Sequence, residues 1–131
     1  MHLKTLGTPE HNQSYWEVIL HDKFVPEFWD LSKQVRVELA ALTLQQREKG
    51  PLLGRPAVDT LKGSRYTNMK ELRFGAGGGV WRVAFAFDPS RRAILLVAGD
   101  KAGMSKQRFY SNLIRLADAR FERHLNSLHA N

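Results

Sequence analysis

The sequence MKELRFGAGGGVWRVAFAF, residues 69–87, contains two runs in which apolar side chains alternate with polar or small ones. A period of two residues is typical of a β-strand that buries one face. In the first run Leu72 and Phe74 point to one side, while Glu71 and Arg73 point to the other. In the second run Arg82 shares its face with small alanines, and the opposite face is aromatic and aliphatic. Residues 75–79 join the runs as a glycine-rich hairpin, because a phosphate-binding loop would open a helix rather than a strand.

Positive charge is concentrated around these two strands. The whole chain has a formal net charge of +7. Residues 61–108 carry ten basic residues against three acidic ones, so the rest of the chain is neutral overall. The ten are Lys62, Arg65, Lys70, Arg73, Arg82, Arg91, Arg92, Lys101, Lys106 and Arg108. A localised basic surface of this kind indicates a polyanionic partner, either nucleic acid or an acidic protein segment.

The other elements follow from the hydrophobic pattern. Residues 15–20 are aromatic and β-branched, which predicts a first strand. Apolar residues at helical spacing over 24–31 and 32–47 predict a helical hairpin or one bent helix, which Gly50 and Pro51 end. Residues 58–61 form a short edge segment, residues 93–98 read as a central strand, and Ser105 caps a last helix. The predicted fold class is α+β: an N-terminal strand, a helical hairpin, a three-strand antiparallel meander and a C-terminal helix.

Length and composition limit the class of protein. With 131 residues and 43% apolar side chains, we expect one domain at 15–131, preceded by a flexible polar arm at 1–14. The lack of cysteine excludes disulfides and thiolate chemistry, and it fits a cytoplasmic location. None of the five histidines lies between the strands or has the spacing of a helical metal site, so no metal and no cofactor are expected. No apolar run is long enough to predict a membrane span.

Four short runs resemble a known family. They are LKGS at 61–64, KELRF at 70–74, WRVAF at 81–85 and GDK at 99–101. In order and spacing they resemble the RelE/HigB superfamily of toxins from toxin–antitoxin systems, and more narrowly its phage-derived HigB-like branch. The resemblance implies a RelE-like fold and a ribonuclease that cuts mRNA on the ribosome. It also implies a cognate antitoxin partner, in many systems a helix-turn-helix protein.

The resemblance also implies roles for particular residues. By position, Arg82 steadies the scissile phosphate, Lys101 protonates the leaving group and Arg73 holds RNA. Glu71 occupies a place where some members have lysine, so the general base is either Glu71 or its neighbour Lys70. The expected RNA-binding residues are Lys62, Arg65, Lys70, Lys106, Arg108 and Tyr110.

The residue types suit RNA cleavage by the 2′-hydroxyl. RNA supplies this nucleophile itself, so the protein has to move protons and stabilise charge. An arginine can donate two hydrogen bonds to phosphate oxygens and stays protonated, which fits Arg82. This chemistry requires Arg82 and Lys101 to lie together on an exposed surface of the sheet.

Two other classes of function fit the same charge pattern. A non-catalytic RNA- or ribosome-binding module would use the basic surface without cutting RNA, and a basic protein-interaction domain would dock an acidic partner. Glu71 and Arg73 can also form an ordinary surface ion pair, worth under about 1 kcal/mol. Lys101 can equally be a solvated loop residue. Charge alone does not separate these alternatives.

Overall fold

The computed structural model describes residues 15–129, so the predicted arm at 1–14 lies outside the described residues. The strands are β1 (Glu17–Leu20), β2 (Val58–Thr60), β3 (Lys70–Ala76), β4 (Gly79–Phe87) and β5 (Arg92–Asp100). The helices are α1 (Phe24–Asp30), α2 (Lys33–Lys49) and α3 (Lys106–Leu128), with a 3-10 turn at Gly50–Leu52. The predicted α+β class and the predicted order of elements are confirmed. Within residues 15–129 no helix is long and apolar enough to cross a membrane.

The five strands form one mixed sheet in the order β1-β5-β4-β3-β2. Strands β3, β4 and β5 are the predicted antiparallel meander, and β2 adds to its free edge beside β3. Strand β1 pairs with β5 in parallel, with Val18 opposite Ala93. Strand β5 therefore has a neighbouring strand on each side, and its residues Ala93 to Val97 are buried.

Helices cover both faces of the sheet. On one face α1 and α2 enclose a core that contains Phe24, Phe28, Leu39, Leu72, Val83 and Phe85. On the other face α3 encloses a core that contains Met69, Ala84, Ala86, Phe109, Leu113 and Phe121. Since side chains alternate along a strand, Glu71 and Arg73 point to the α3 side, as does Arg82. The sequence pattern thus decides which helix meets the basic residues.

Two predicted helix caps and one predicted helix end are present. The hydroxyl oxygens of Ser32 and Ser105 accept hydrogen bonds from backbone N–H groups three residues further on, at 3.3 and 3.2 Å. Helix α2 ends at Gly50, whose φ of 52° suits glycine. Serine at an N-cap satisfies a backbone donor that the helix itself leaves free.

A β-bulge in β5 fixes the position of α3. The register between β4 and β5 shifts at Ala84 and Phe85, so Leu96 has no partner of its own on β4. The carbonyl of Leu96 instead accepts a hydrogen bond from Nη1 of Arg120 on α3, at 2.7 Å. The same guanidinium donates two hydrogen bonds to the carboxylate of Glu27 on α1, at 2.8 and 2.6 Å. Arg120 therefore joins one strand and two helices.

A buried carboxylate connects the β4–β5 turn to α3 at His124, one helical turn beyond Arg120. The side chain of Asp88 is fully buried and accepts from the guanidinium of Arg92, with contacts of 3.0 and 2.9 Å. Nε2 of His124 lies 2.8 Å from Oδ2 of Asp88, and the backbone N–H of Ser90 donates to Oδ1 at 2.9 Å. Burial alone would raise the pKa of Asp88, but the hydrogen bonds from His124 and Arg92 hold it below its ordinary value.

Candidate active site

The basic strands and the start of α3 enclose a cleft of about 670 Å³. Its walls come from β2, β3, the end of β5 and the first turns of α3. The lining residues are Asp59, Thr60, Leu61, Lys62, Glu71, Arg73, Lys101, Lys106, Gln107, Tyr110 and Ser111. Four of them are cations and two are carboxylates, so the cleft has a net positive charge but also contains the carboxylates of Asp59 and Glu71.

Glu71 lies at the floor of the cleft with both carboxylate oxygens bonded. The Tyr110 hydroxyl donates to Oε1 at 2.9 Å, and Nη1 of Arg73 donates to Oε2 at 3.1 Å. Only 5% of the Glu71 side chain is exposed. The sequence left open an ordinary surface ion pair between Glu71 and Arg73, but here the carboxylate is buried and bonded to a third residue. A substrate hydroxyl can reach Glu71 only where Tyr110 or Arg73 gives way.

Arg82 is bonded to Tyr110 but is not itself among the residues that line the cleft. Its Nε donates to the Tyr110 hydroxyl at 3.3 Å and lies 3.8 Å from Oε1 of Glu71, while Nη1 donates to the Trp81 carbonyl at 2.9 Å. Arg82 is only 6% exposed, so the expectation of an exposed guanidinium is wrong. The physical reason is that α3 packs on this face and brings the Tyr110 hydroxyl to the guanidinium. Arg82 is therefore in contact with a side chain that lines the cleft.

Tyr110 is the residue that connects the carboxylate to the arginine. Its oxygen donates to Glu71 and accepts from Arg82, so the three side chains form one chain of hydrogen bonds. Burial raises the pKa of the Tyr110 phenol, which keeps its proton available for the bond to Glu71. The sequence predicted only an RNA-binding role for this residue.

Lys101 follows the last residue of β5 and is half-buried at the mouth of the cleft. Its Nζ lies 5.8 Å from the centroid of the Tyr110 ring, and its backbone N–H donates to Val80 at 2.9 Å. Loss of hydration lowers the pKa of Lys101 from its ordinary value of 10.5, and the charges of Arg82 and Arg73 lower it further. Lys101 is thus close enough to Arg82 for their charges to interact, although only Lys101 lines the cleft.

The structure separates the other expected RNA-binding residues into two groups. Lys62 and Lys106 line the cleft, while Lys70, Arg65 and Arg108 are not among its lining residues. Lys70 precedes Glu71 on β3 and so points to the α2 side of the sheet, which removes it as an alternative base in this arrangement.

Arg65 is committed to other contacts on α3. Its guanidinium forms an ion pair with Glu122, and its backbone N–H donates to Asp118 at 3.1 Å. Arg108 is exposed on α3 outside the cleft, beside Ser105 and Asn112. These two arginines therefore contribute charge at a distance from the floor of the cleft.

Sequence reasoning missed Asp59, which stands in the cleft on β2. Strand β2 pairs with β3 so that Asp59 lies opposite Glu71. The only local signal was the short edge segment predicted at 58–61, too short for its alternation to be read. Among the described residues, no group of three or more His, Cys, Asp or Glu side chains is arranged to hold a metal ion.

Comparison with known proteins identifies the family. The sequence profile described as Phage derived protein Gp49-like matches residues 26–122. The chain belongs to this Gp49-like family of HigB/RelE type, which confirms the resemblance found in the sequence.

Two relatives are toxin candidates of Mycobacterium tuberculosis. The one named HigB3 is 47% identical over 113 residues, covering 86% of this chain and 96% of its own length. The one named HigB2 is 54% identical over 79 residues, covering 60% of this chain. This second alignment spans only 39% of HigB2, so that relative is much longer than the shared region.

A solved structure shares the fold. An arginine-to-alanine double mutant of the E. coli toxin RelE, in its free state, superposes with a TM-score of 0.55 and 13% sequence identity. The match covers 79% of this chain and 97% of that one. At this identity the likeness concerns the fold alone, and it confirms the predicted RelE-like arrangement.

Proposed function

We propose that this protein is the toxin of a toxin–antitoxin system and that it acts as an endoribonuclease on mRNA. In this proposal the mRNA is cut on the ribosome, in the cytoplasm. The observation that carries the proposal is the chain of hydrogen bonds from Glu71 through Tyr110, both in the lining of a basic cleft, to the buried Arg82. The sequence relatives support the toxin role, since both are named as toxin candidates.

The proposed reaction is an attack of the ribose 2′-hydroxyl on the adjacent phosphorus. Glu71 takes the 2′ proton as the O2′–P bond forms, and the P–O5′ bond breaks as Lys101 gives a proton to O5′. Arg82 stabilises the negative charge that builds up on the phosphate oxygens, and Arg73 holds the incoming backbone. The products are a 2′,3′-cyclic phosphate and a 5′-hydroxyl.

The free protein holds this machinery in a closed arrangement. Tyr110 covers Arg82 and occupies Oε1 of Glu71. One movement of the Tyr110 side chain away from the floor would therefore expose the arginine to phosphate and free the carboxylate oxygen for the 2′-hydroxyl. We assign that movement to RNA entry, because a phosphate can replace Tyr110 as the acceptor for Arg82.

A second candidate function is a non-catalytic RNA- or ribosome-binding module. The burial of Arg82 favours it, since an arginine satisfied by Tyr110 and Trp81 can serve structure alone. This alternative predicts binding that weakens with salt but leaves RNA intact.

The test compares three purified proteins on ribosome-bound mRNA: wild type, Arg82→Ala and Arg108→Ala. Removal of a preorganised charge-stabilising donor costs on the order of 100- to 1,000-fold in rate, so Arg82→Ala should be slowed by that factor. Arg108 is an exposed arginine outside the cleft, and its variant should cut at the wild-type rate. Intact RNA with the folded wild-type protein would favour the binding module instead.

An antitoxin is the protein partner in this proposal. A basic cleft with four lining cations suits an acidic segment laid across it. We expect the partner to be a helix-turn-helix protein that blocks the cleft, and its addition should stop cleavage in the same assay.

A further inference from the structure

Asp59 is the one carboxylate in the cleft lining that solvent reaches. Its side chain is 32% exposed, against 5% for Glu71. A carboxylate in this place repels phosphate and so lowers the general affinity of the cleft for an RNA backbone. A ligand that binds Asp59 is therefore a hydrogen-bond donor rather than a phosphate.

The register of the sheet places Asp59 beside the proposed reaction centre. Asp59 lies directly opposite Glu71 in the antiparallel pair of β2 and β3. Such pairs have Cβ atoms about 5 Å apart and point to the same face. A group bound by Asp59 therefore belongs to the nucleotide at the cleaved bond or to its direct neighbour.

The carboxylate is an acceptor with replaceable partners. The backbone N–H of Thr60 donates to Oδ1 at 2.8 Å, and this bond lowers the pKa of Asp59, so the group stays ionised and can only accept. Oδ2 is bonded to Nη1 of Arg55 at 2.9 Å and lies 3.7 Å from Nη1 of Arg73. The Arg55 side chain is 71% exposed, so a ligand can displace it at little cost.

Among the four RNA bases, guanine matches a carboxylate best. Its Watson–Crick edge presents two adjacent donors, N1–H and the N2 amino group, which can reach the two oxygens of one carboxylate. Adenine and cytosine each place an acceptor nitrogen beside their amino group, and uracil has a single N–H between two acceptors. Lys62 lines the same cleft and carries only donors, which suits guanine O6.

We propose that Asp59 selects guanine at a nucleotide flanking the cleaved bond. The proposal rests on the proposed ribonuclease function and adds its base preference. The competing explanation is that Asp59 only orients Arg73, in which case its loss would slow all sequences equally.

The experiment uses one mRNA whose cut site has been mapped with the wild-type protein on ribosomes. The flanking guanosine is replaced by inosine, which keeps N1–H and O6 but lacks the N2 amino group, or by adenosine. Wild type should cut the guanosine RNA about 5- to 150-fold faster than the adenosine RNA, with inosine between them, because this is the usual discrimination of a bidentate base contact.

Asp59→Asn is the matched variant, since its side-chain oxygen can still accept from Thr60. It should cut the guanosine and inosine RNAs at equal rates and lose most of the preference over adenosine. Asp30→Asn, a change of an exposed carboxylate on α1, should behave as wild type. Asp59→Ala gives the same reading if the asparagine variant proves unstable on thermal melting.

Two results would overturn the inference. If Asp59→Asn slows all three RNAs by the same factor, or keeps the wild-type ratios, then Asp59 does not read the base although the ribonuclease function stands. If wild type leaves every RNA intact, the proposed function fails and the inference fails with it.

Discussion

Replacing Asp88 with alanine removes the group to which the β4–β5 turn and the end of α3 are both bonded. The carboxylate is fully buried and contacts the Arg92 guanidinium and His124. The change leaves both partners and the backbone N–H of Ser90 without their acceptor. Arg120, one helical turn before His124, should still hold α3 to the sheet through the Leu96 carbonyl.

The expected cost follows from these contacts. Removal of one partner of a buried ion pair destabilises a protein by about 3 to 5 kcal/mol. Because 24% of the Arg92 side chain is exposed and can regain water, the lower value of about 3 kcal/mol applies. For a chain of this length that corresponds to a fall in Tm of roughly 10 °C.

The loss of unfolding free energy in Asp88→Ala should also depend on pH. The folded-state pKa of Asp88 lies below its ordinary value of 3.8, so its stabilisation is fully present above that value. It is lost as the pH falls through the lower folded-state pKa. The difference in stability between wild type and Asp88→Ala should therefore narrow below about pH 4.

Urea unfolding of wild type, Asp88→Ala and the surface control Asp30→Ala at several pH values measures these differences. Asp30→Ala should stay within about 0.5 kcal/mol of wild type. A loss under about 1 kcal/mol for Asp88→Ala at neutral pH, or a loss that stays the same at pH 3, would refute this account of the buried carboxylate.

Three further predictions concern the ends of α3 and the cleft. Arg120→Ala leaves the bulged Leu96 carbonyl without a donor and should lower the free energy of unfolding by about 1 to 3 kcal/mol, measured in urea, whereas Arg120→Lys should recover part of it. Lys101 acts as a cation, and its pKa is lowered from 10.5, so the cleavage rate should begin to fall at a pH below 10.5. Lys101→Arg should abolish this decrease at alkaline pH, because arginine stays protonated. A decrease that persists in Lys101→Arg would exclude Lys101 as the titrating group. Lys106→Ala should reduce the slope of log binding constant against log salt concentration by about one phosphate contact, because Lys106 lines the cleft. Arg65→Ala should leave this slope unchanged, because Arg65 is paired with Glu122 outside the cleft. Equal slopes for the two variants would contradict the assignment of Lys106 but not Arg65 to the RNA-binding cleft.

Strand alternation was enough to predict most of the architecture. The runs around Leu72 and Val83 fixed which side chains share a face, and the serine caps marked where two helices begin. The parallel pairing of β1 with β5 could not be predicted, because it joins residues more than seventy positions apart and leaves no local period. The bulge at Leu96 was hidden for a similar reason, since a fully apolar strand shows no break in its pattern.

The site was predicted as a set of residues but not as an arrangement. The strand pattern predicted that Glu71, Arg73, Arg82 and Lys101 lie in one region. In the sheet Arg73 lies opposite Arg82, and Arg82 lies opposite Gly99, two residues before Lys101. The strand pattern did not show that Tyr110 would cover Arg82, because that depends on how α3 packs over the sheet. A charged residue on a strand face looks exposed in sequence until the element that covers the face is known.

The outlying charges also have partners that the sequence did not indicate. Arg65 was expected to bind RNA because its charge belongs to the basic window, but an acidic residue nearly sixty positions away, Glu122, pairs with it. Asp59 was passed over because an isolated acid in a short segment carries no local signal. In both cases the surroundings of a charged side chain depend on residues that are distant in the sequence.

The most direct measurement is a single-turnover assay of wild type and Arg82→Ala on ribosome-bound mRNA, with chemical identification of the new RNA ends. We predict 2′,3′-cyclic phosphate and 5′-hydroxyl ends from wild type, and a rate lower by about 100- to 1,000-fold for a folded Arg82→Ala that still binds RNA. Ends that carry a 3′-hydroxyl and a 5′-phosphate, or an Arg82→Ala protein that cuts at the wild-type rate, would contradict cleavage by the Glu71, Tyr110 and Arg82 cluster.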